Sequence, residues 1–367
     1  LAGRRVESVF FGGGTPSLWN PRELGRVLAH VHANVATLST PQVGSDPHGA
    51  SAGGRFDVEV TVECNPTSLD ESSARALAEV GVGRVSIGVQ SLRDERLRYL
   101  GRLHDANGAR AAIRAAVRAG VPRVSADLIF GLPGQSPADA RDEALELADL
   151  GLSHVSCYQL TIENGTRFGE LARRGRLPLA DDGAVAEGFL AIDDALTARG
   201  LNHYEVSNYA RPGDEARHNL GYWHGDEYLG LGCAAVGFVG TTTTTGEAGA
   251  SAKGVRYRNA VRPERYVAST LSAESGPPGE DDGISESSEP LNAPTLLRER
   301  IMLGLRLAEG VDIDSAARRL NTPGWTSERT RTAAWLEERG RIVREGSRIR
   351  IPRAAWLWTD DTAARLF

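Results

Sequence analysis

Cysteine, methionine and lysine are almost missing from this chain of 367 residues, which has three Cys, one Met and, at position 253, its single Lys. Three isolated cysteines (Cys64, Cys157 and Cys233) exclude a disulfide framework and suggest a reducing, cytoplasmic setting. No C-x-x-C or comparable local metal motif occurs. No apolar run approaches the roughly 20 residues that span a bilayer, and no signal peptide opens the chain. A formal net charge of −6 argues against nucleic-acid binding, whose footprint is basic. The only methionine is Met302, so the chain reads as one that starts downstream of its natural initiator.

From Val6 to about Ser207, short β-branched runs alternate with amphipathic stretches. Val6–Phe11, Asp57–Glu63, Arg84–Gln90, Arg123–Phe130, His154–Leu160 and Asn202–Asn208 read as strands. Helices are predicted from about Pro21, capped by Asn20, from Leu69 or Asp70 to Val80, over Asp94–Ala119, from Pro137 to Leu150 and over Asp181–Arg199. Such alternation implies an α/β fold with a parallel sheet and right-handed crossovers. Without a Rossmann phosphate fingerprint, a partial (β/α) barrel is favoured over an open flavodoxin-like sheet.

Three segments break the pattern. Ser39–Arg55 reads as a surface insertion, Thr241–Gly254 contains five consecutive threonines, and Ser272–Pro290 has the composition of a linker. Beyond them, Thr295–Leu307, Ile313–Leu320 and Arg329–Arg339 read as helices and Gly340–Pro352 as a hairpin, which suggests a winged-helix-like module. The acidic chain and the lack of a basic recognition helix favour packing or a partner over DNA for that module. The expected division is a barrel over 1–210, an extension over 211–271, a flexible linker over 272–294 and a C-terminal module over 295–367.

In a parallel barrel, working residues lie at the C-terminal ends of strands. Here those ends carry Gly12-Gly13-Gly14-Thr15-Pro16, Glu63-x-Asn65-Pro66, Gln90, Asp127 before Phe130-Gly131-Leu132-Pro133-Gly134, and Tyr158-Gln159. Glycines admit a ligand close to the backbone, while carboxylate and amide groups bind amines and ribose hydroxyls. Taken singly, the glycines are a tight turn and Glu63, Gln90 and Asp127 are buried polar residues. Their arrival at one end of one sheet favours a shared pocket.

The segments FFGGGTPS (Phe10–Ser17), VECNP (Val62–Pro66), SIGVQSLRDERLRYLGRLHD (Ser86–Asp105) and ADLIFGLPGQS (Ala126–Ser136) resemble the radical S-adenosylmethionine enzymes, specifically the oxygen-independent coproporphyrinogen III oxidase family. The resemblance runs from Val6 to about Val239. It implies that Gly13, Gly14 and Thr15 hold the methionine part of S-adenosylmethionine, with Glu63, Gln90, Arg102 and the ribose-binding Asp127 completing the site. It also implies a [4Fe–4S] cluster on a C-x-x-x-C-x-x-C segment preceding Val6. This sequence has no such triad, and the chain therefore reads as N-terminally truncated or begun from a downstream start, with a degenerate homologue as the alternative.

Farther on, Arg217–Phe238 contains the string His218-Asn219-x-x-Tyr222-Trp223. Histidine is a common haem-iron ligand and the aromatics could stack on a porphyrin, although a lone histidine is as readily a packed, hydrogen-bonded residue. The string, and Glu205–Gly213 before it, resemble the haem-chaperone branch of the same family. That resemblance implies haem bound at His218, Tyr222 and Trp223, with His218 on the iron, and an unidentified haem-acceptor protein. A homodimer is a further possibility. The competing expectations are oxidative decarboxylation of coproporphyrinogen III to protoporphyrinogen IX, and a cluster-less scaffold that binds a partner.

Overall fold

The computed structural model describes residues 5–36, 58–240, 253–272 and 284–367. The expected insertion (39–55) and the threonine run lie outside them. The chain divides into two units, Leu1–His218 and Asn219–Phe367.

The first unit begins with β1 (Ser8–Phe11), α1 (Pro21–Ala36), β2 (Glu59–Cys64), α2 (Glu71–Glu79), β3 (Arg84–Gln90), α3 (Asp94–Tyr99) and α4 (Ala106–Arg118). It continues with β4 (Arg123–Phe130), α5 (Pro137–Asp149), β5 (His154–Gln159), α6 (Arg167–Arg173), α7 (Asp182–Ala198), β6 (Asn202–Glu205) and β7 (Asn208–Ala210). The unit boundary falls inside α8 (Arg217–Trp223). The seven strands form one curled half-barrel sheet in the order β1-β2-β3-β4-β5-β7-β6, and β1 to β5 are mutually parallel. A partial barrel is therefore the observed architecture.

Two expected elements are corrected. Asn202–Asn208 is not a final parallel strand: Val206-Ser207 turn the chain, and β6 and β7 form a hairpin whose second arm runs antiparallel to β5. The helix over Asp94–Ala119 is broken, because Gly101 takes φ +69° and Asp105 accepts from the Gly108 N–H at 2.7 Å to start α4 anew. The remaining caps follow the sequence. Asp70 and Ser136 each form capping boxes, and Asn20 Oδ1 accepts from the Arg22 N–H at 3.0 Å.

The two faces of the sheet differ chemically. Period-2 alternation sends Val60, Val62, Cys64, Val85, Ile87, Val89, Ala126, Leu128, Phe130 and Val155 against the helices, where they join Leu24, Leu28, Leu77, Ile113 and Leu147 in the main core. Each Val, Leu, Ile or Phe side chain among them contributes about 1.5–3 kcal/mol on full burial. The opposite, inner face carries Glu59, Thr61, Glu63, Arg84, Ser86, Ser125, Asp127, His154 and Ser156. Register pairs Glu63 with Ser86 and Asp127 with Ser156. A barrel interior is ordinarily filled by branched aliphatics, so this polar face marks where chemistry is placed.

The second unit contains β8 (Val236–Gly240), β9 (Gly254–Asn259), α9 (Pro263–Ser272) and β10 (Ser285–Leu291), with the antiparallel order β10-β9-β8. Part of the expected linker is thus structured: Ser285–Leu291 forms an edge strand on β9, and its polar side chains face outward while the ladder supplies the hydrogen bonds. Then come α10 (Ala293–Gly304), β11 (Val311–Asp312), α11 (Ile313–Leu320), α12 (Ser327–Glu338), β12 (Val343–Glu345), β13 (Arg348–Arg350) and α13 (Thr359–Arg365). The strands β11, β13 and β12 form a small antiparallel sheet beside the helices, in winged-helix order. Among the described residues, no helix is long and apolar enough to cross a membrane.

Candidate functional site

The C-terminal ends of β1 to β4 bring the expected cofactor residues to one edge. The glycines after β1 serve two purposes. An added Cβ at Gly12 would stand 2.6 Å from Phe10 Cε1 and 3.1 Å from the Glu63 carboxyl, so close packing excludes any side chain there. Gly13 and Gly14 instead adopt φ +78° and +135°, and a Cβ on either would meet nothing within 4 Å. Together they form a bare backbone shelf. The Gly13 N–H donates to Glu63 Oε2 at 3.3 Å, which ties the shelf to β2. Burial pushes the Glu63 carboxyl above its ordinary range, partly offset by that N–H.

Gln90 ends β3 with φ +66°, one of only three described non-glycine residues in the left-handed region. The ladder to β4 slips between Ile87 and Gln90, so the residue sits on a bulge that redirects its side chain. Asp127, on β4, accepts from Ser86 Oγ at 3.3 Å and from Ser156. Desolvation raises its pKa to about 6, with a lesser upward push from the Glu63 charge; the serines and the positive charge of Arg102 oppose the rise. Arg102 is exposed in the turn between α3 and α4, within electrostatic reach of Asp127.

A hub not anticipated from sequence holds the loops beneath. Glu143 of α5 is fully buried and accepts from Ser91 Oγ at 2.5 Å, the Leu92 N–H at 2.6 Å, Gln135 Nε2 at 3.4 Å and Arg96. It therefore anchors both the turn after Gln90 and the loop after β4.

His218 packs against β1 on the inner face. Its imidazole stacks on Phe10 with ring centroids 4.4 Å apart and planes 12° apart, and its Nδ1 is 3.4 Å from Ser8 Oγ. Desolvation holds its pKa down, to about 4, against the opposing pull of the Glu59 carboxylate, so the ring is neutral. Tyr222 and Trp223 belong to the second unit. There Tyr222 meets Tyr228 edge to face at 4.7 Å, and the Arg306 guanidinium lies 5.8 Å above the Trp223 ring. His224, outside the string, pairs with Glu309 at 2.9 Å.

The cysteines do not converge. Cys64 and Cys157 are buried on β2 and β5, with two strands between them, on the helix-packed face, while Cys233 is exposed in the second unit. Burial pushes the Cys64 thiol up to about 12 and raises Cys157 as well, which makes both inert small core residues. Among the described residues, no group of three or more His, Cys, Asp or Glu side chains could hold a metal ion.

A parallel half-barrel with a glycine shelf, and with a carboxylate, an amide and a buried aspartate on its strands, has the architecture expected of the radical SAM class. In agreement, residues 1–148 match the radical SAM superfamily and residues 291–358 match the HemN C-terminal domain. The chain is 33% identical over 308 residues to the heme chaperone HemW of Mycobacterium tuberculosis, which covers 84% of this chain and 69% of that one. It is 30% identical over 310 residues to HemW of Lactococcus lactis, covering 84% and 71%. The chain belongs to the HemW family. Among solved structures, coproporphyrinogen III oxidase (HemN) from Escherichia coli superposes over 100% of this chain and 78% of that one, with a TM-score of 0.72. Its 18% identity makes that likeness one of fold.

Proposed function

We propose that this chain is a haem chaperone: it binds haem with His218 as an iron ligand and passes it to an acceptor protein. The carrying observation is the state of His218. A haem ligand must be a neutral imidazole, and a ligating histidine is commonly oriented through its other ring nitrogen. Here burial keeps the ring neutral, Ser8 faces Nδ1, and Phe10 fixes the ring plane. The sequence string that carries His218 also carries Tyr222 and Trp223, aromatic residues of the kind that stack on a porphyrin. The HemW relatives, named as heme chaperones, support the same reading.

The residues of the first unit fit S-adenosylmethionine. The open space over Gly13 and Gly14 accommodates the methionine end beside Thr15, and Glu63 and Gln90 stand at the neighbouring strand ends to take its polar groups. Asp127 would accept ribose hydroxyls, with Arg102 nearby. When bound, the cofactor supplies a sulfonium whose reductive cleavage requires an iron–sulfur cluster. The cysteines of this chain, two buried on separate strands and one exposed in the second unit, do not fit such a cluster.

Ferric haem titrated into the wild type and into His218→Ala tests the reading. The wild type is expected to give a histidine-ligated Soret spectrum that the variant loses. Equal affinity and identical spectra overturn His218 as ligand. Turnover of coproporphyrinogen III by the protein carrying an added C-x-x-x-C-x-x-C segment ahead of Val6, with its cluster reconstituted anaerobically, would instead support the oxidase activity of the wider family.

A further inference from the structure

The segment from Arg211 to His218 crosses the inner face as a strap, tied down at every few residues. The Arg211 N–H donates to Ser153 O at 2.9 Å, Arg123 Nε donates to Asp214 Oδ1 at 3.0 Å, and the Ala216 N–H donates to Tyr204 Oη at 3.3 Å. Arg84 makes the central attachment. Its Nη2 donates to Asp214 O at 2.9 Å, Glu215 O at 3.2 Å and Glu59 Oε2 at 3.0 Å, and its Nε reaches the same Glu59 oxygen at 3.3 Å.

Both side chains of the Glu59–Arg84 pair are 2% exposed. Glu59 Oε1 and Arg84 Nη1 are buried without a hydrogen-bond partner among the described residues. A buried pair with unused hydrogen-bonding capacity is a poor stabiliser, and apolar residues of similar volume often serve stability as well or better. What the pair does that apolar residues cannot is fork: one guanidinium binds two consecutive carbonyls while a carboxylate holds it in place. Those carbonyls belong to residues four and three positions before His218.

We propose that Arg84, held by Glu59, is the positioning residue for His218: it seats the 211–218 strap so that the imidazole meets haem in one fixed orientation. The proposal rests on the reading of His218 as haem ligand. Ser8 and Phe10 define the plane of the ring, and Arg84 fixes the backbone from which the ring projects. Carbonyls of the strap, not the imidazole, are what Arg84 touches, so the effect on haem is transmitted through the strap.

The test uses the full chain. Glu59→Leu/Arg84→Met replaces the pair by apolar side chains of similar volume, which keeps the barrel folded while releasing the two carbonyls. The first measurement is amide hydrogen exchange without haem, and the second is titration with ferric haem alongside His218→Ala. In the double variant, amides of residues 211–218 are expected to exchange at least about tenfold faster while β2 to β5 remain protected, and haem affinity is expected to fall about tenfold or more, as for other groups that orient a metal ligand. The histidine-ligated spectrum should persist but broaden. Unchanged strap exchange overturns the proposal. So does faster exchange with wild-type haem affinity and spectrum, because Arg84 would then secure the strap without positioning the ligand. If His218→Ala leaves the haem spectrum unchanged, the ligand reading fails and the positioning role falls with it, a result that the His218 variant alone identifies.

Discussion

The imidazole of His218 lies almost parallel to the ring of Phe10, although 208 positions separate them in sequence. Offset or parallel ring pairs add about 0.5–1.5 kcal/mol beyond the area they bury. A double-mutant cycle with Phe10→Leu and His218→Ala, followed by urea denaturation, should return a coupling of that size. A coupling near zero would mean that the ring contact does not hold the histidine in solution.

Asp127 titrates near pH 6 because burial disfavours its charged form. Its folded pKa is thus above that of an unfolded aspartate, near 3.9. The native state holds the proton more tightly, so this contribution is fully present below about pH 3.9 and is lost as pH rises through about 6. Above that, the ionised Asp127 opposes folding by roughly 1–3 kcal/mol. Asp127→Asn, which keeps the shape and can still accept from Ser86 and Ser156, should be more stable than wild type at pH 7.5, with no gain at pH 4. Equal denaturation midpoints at both pH values would contradict the assignment.

The conformation of Gln90 makes a third prediction. A non-glycine residue in the left-handed region costs about 1–2 kcal/mol, whereas glycine there loses only its greater unfolded-state freedom, about 0.5–1 kcal/mol. Gln90→Gly should therefore leave stability unchanged or raise it by up to about 1 kcal/mol. Neighbouring Val89 is fully buried in the core, and its replacement by glycine should cost about 2–3 kcal/mol. If both variants lose stability alike, the turn at Gln90 carries no strain.

These relationships differ in how far the sequence disclosed them. β3 and β4 matched their expected bounds because a strand covered by helices on one face is a dense β-branched run with sharp ends. Glu63, Gln90 and Asp127 could be grouped because strand ends converge in a parallel barrel. Arg102 came only through the register of a family resemblance, since nothing distinguishes its turn from other exposed loops. The break at Gly101 was hidden by helix-forming residues on both sides, and β10 by a composition of Ser, Glu and Pro that suits an edge as well as a linker. The seating of His218 on Ser8 and Phe10 and the Glu59–Arg84 fork are tertiary pairings, which no local pattern encodes. A hint of them was present, because Glu59, Thr61 and Glu63 alternate as polar residues along a strand that should have had an aliphatic inner face.

Glu143 shows most directly how the core supports the site. Its carboxylate gathers donors from the turn after Gln90, from Arg96 and from Gln135, whose own Oε1 accepts from the Leu132 N–H at 3.2 Å. Replacing it with glutamine turns one acceptor oxygen into an NH2 group. That group must face either Arg96 or the Ser91 and Leu92 donors, and in either case the half-buried Arg96 guanidinium loses its charged partner in the core and keeps only Asp139, at 3.1 Å. Breaking a buried charged pair costs about 3–5 kcal/mol, and the retained Asp139 pairing puts this loss at the lower end of that range. Glu143→Gln should lose stability of that order, and the Leu92 amide should exchange faster than amides in β2 or β5. A loss below about 1 kcal/mol, the range of an exposed ion pair, would show that water reaches the hub and that it does not fix the loop following Gln90.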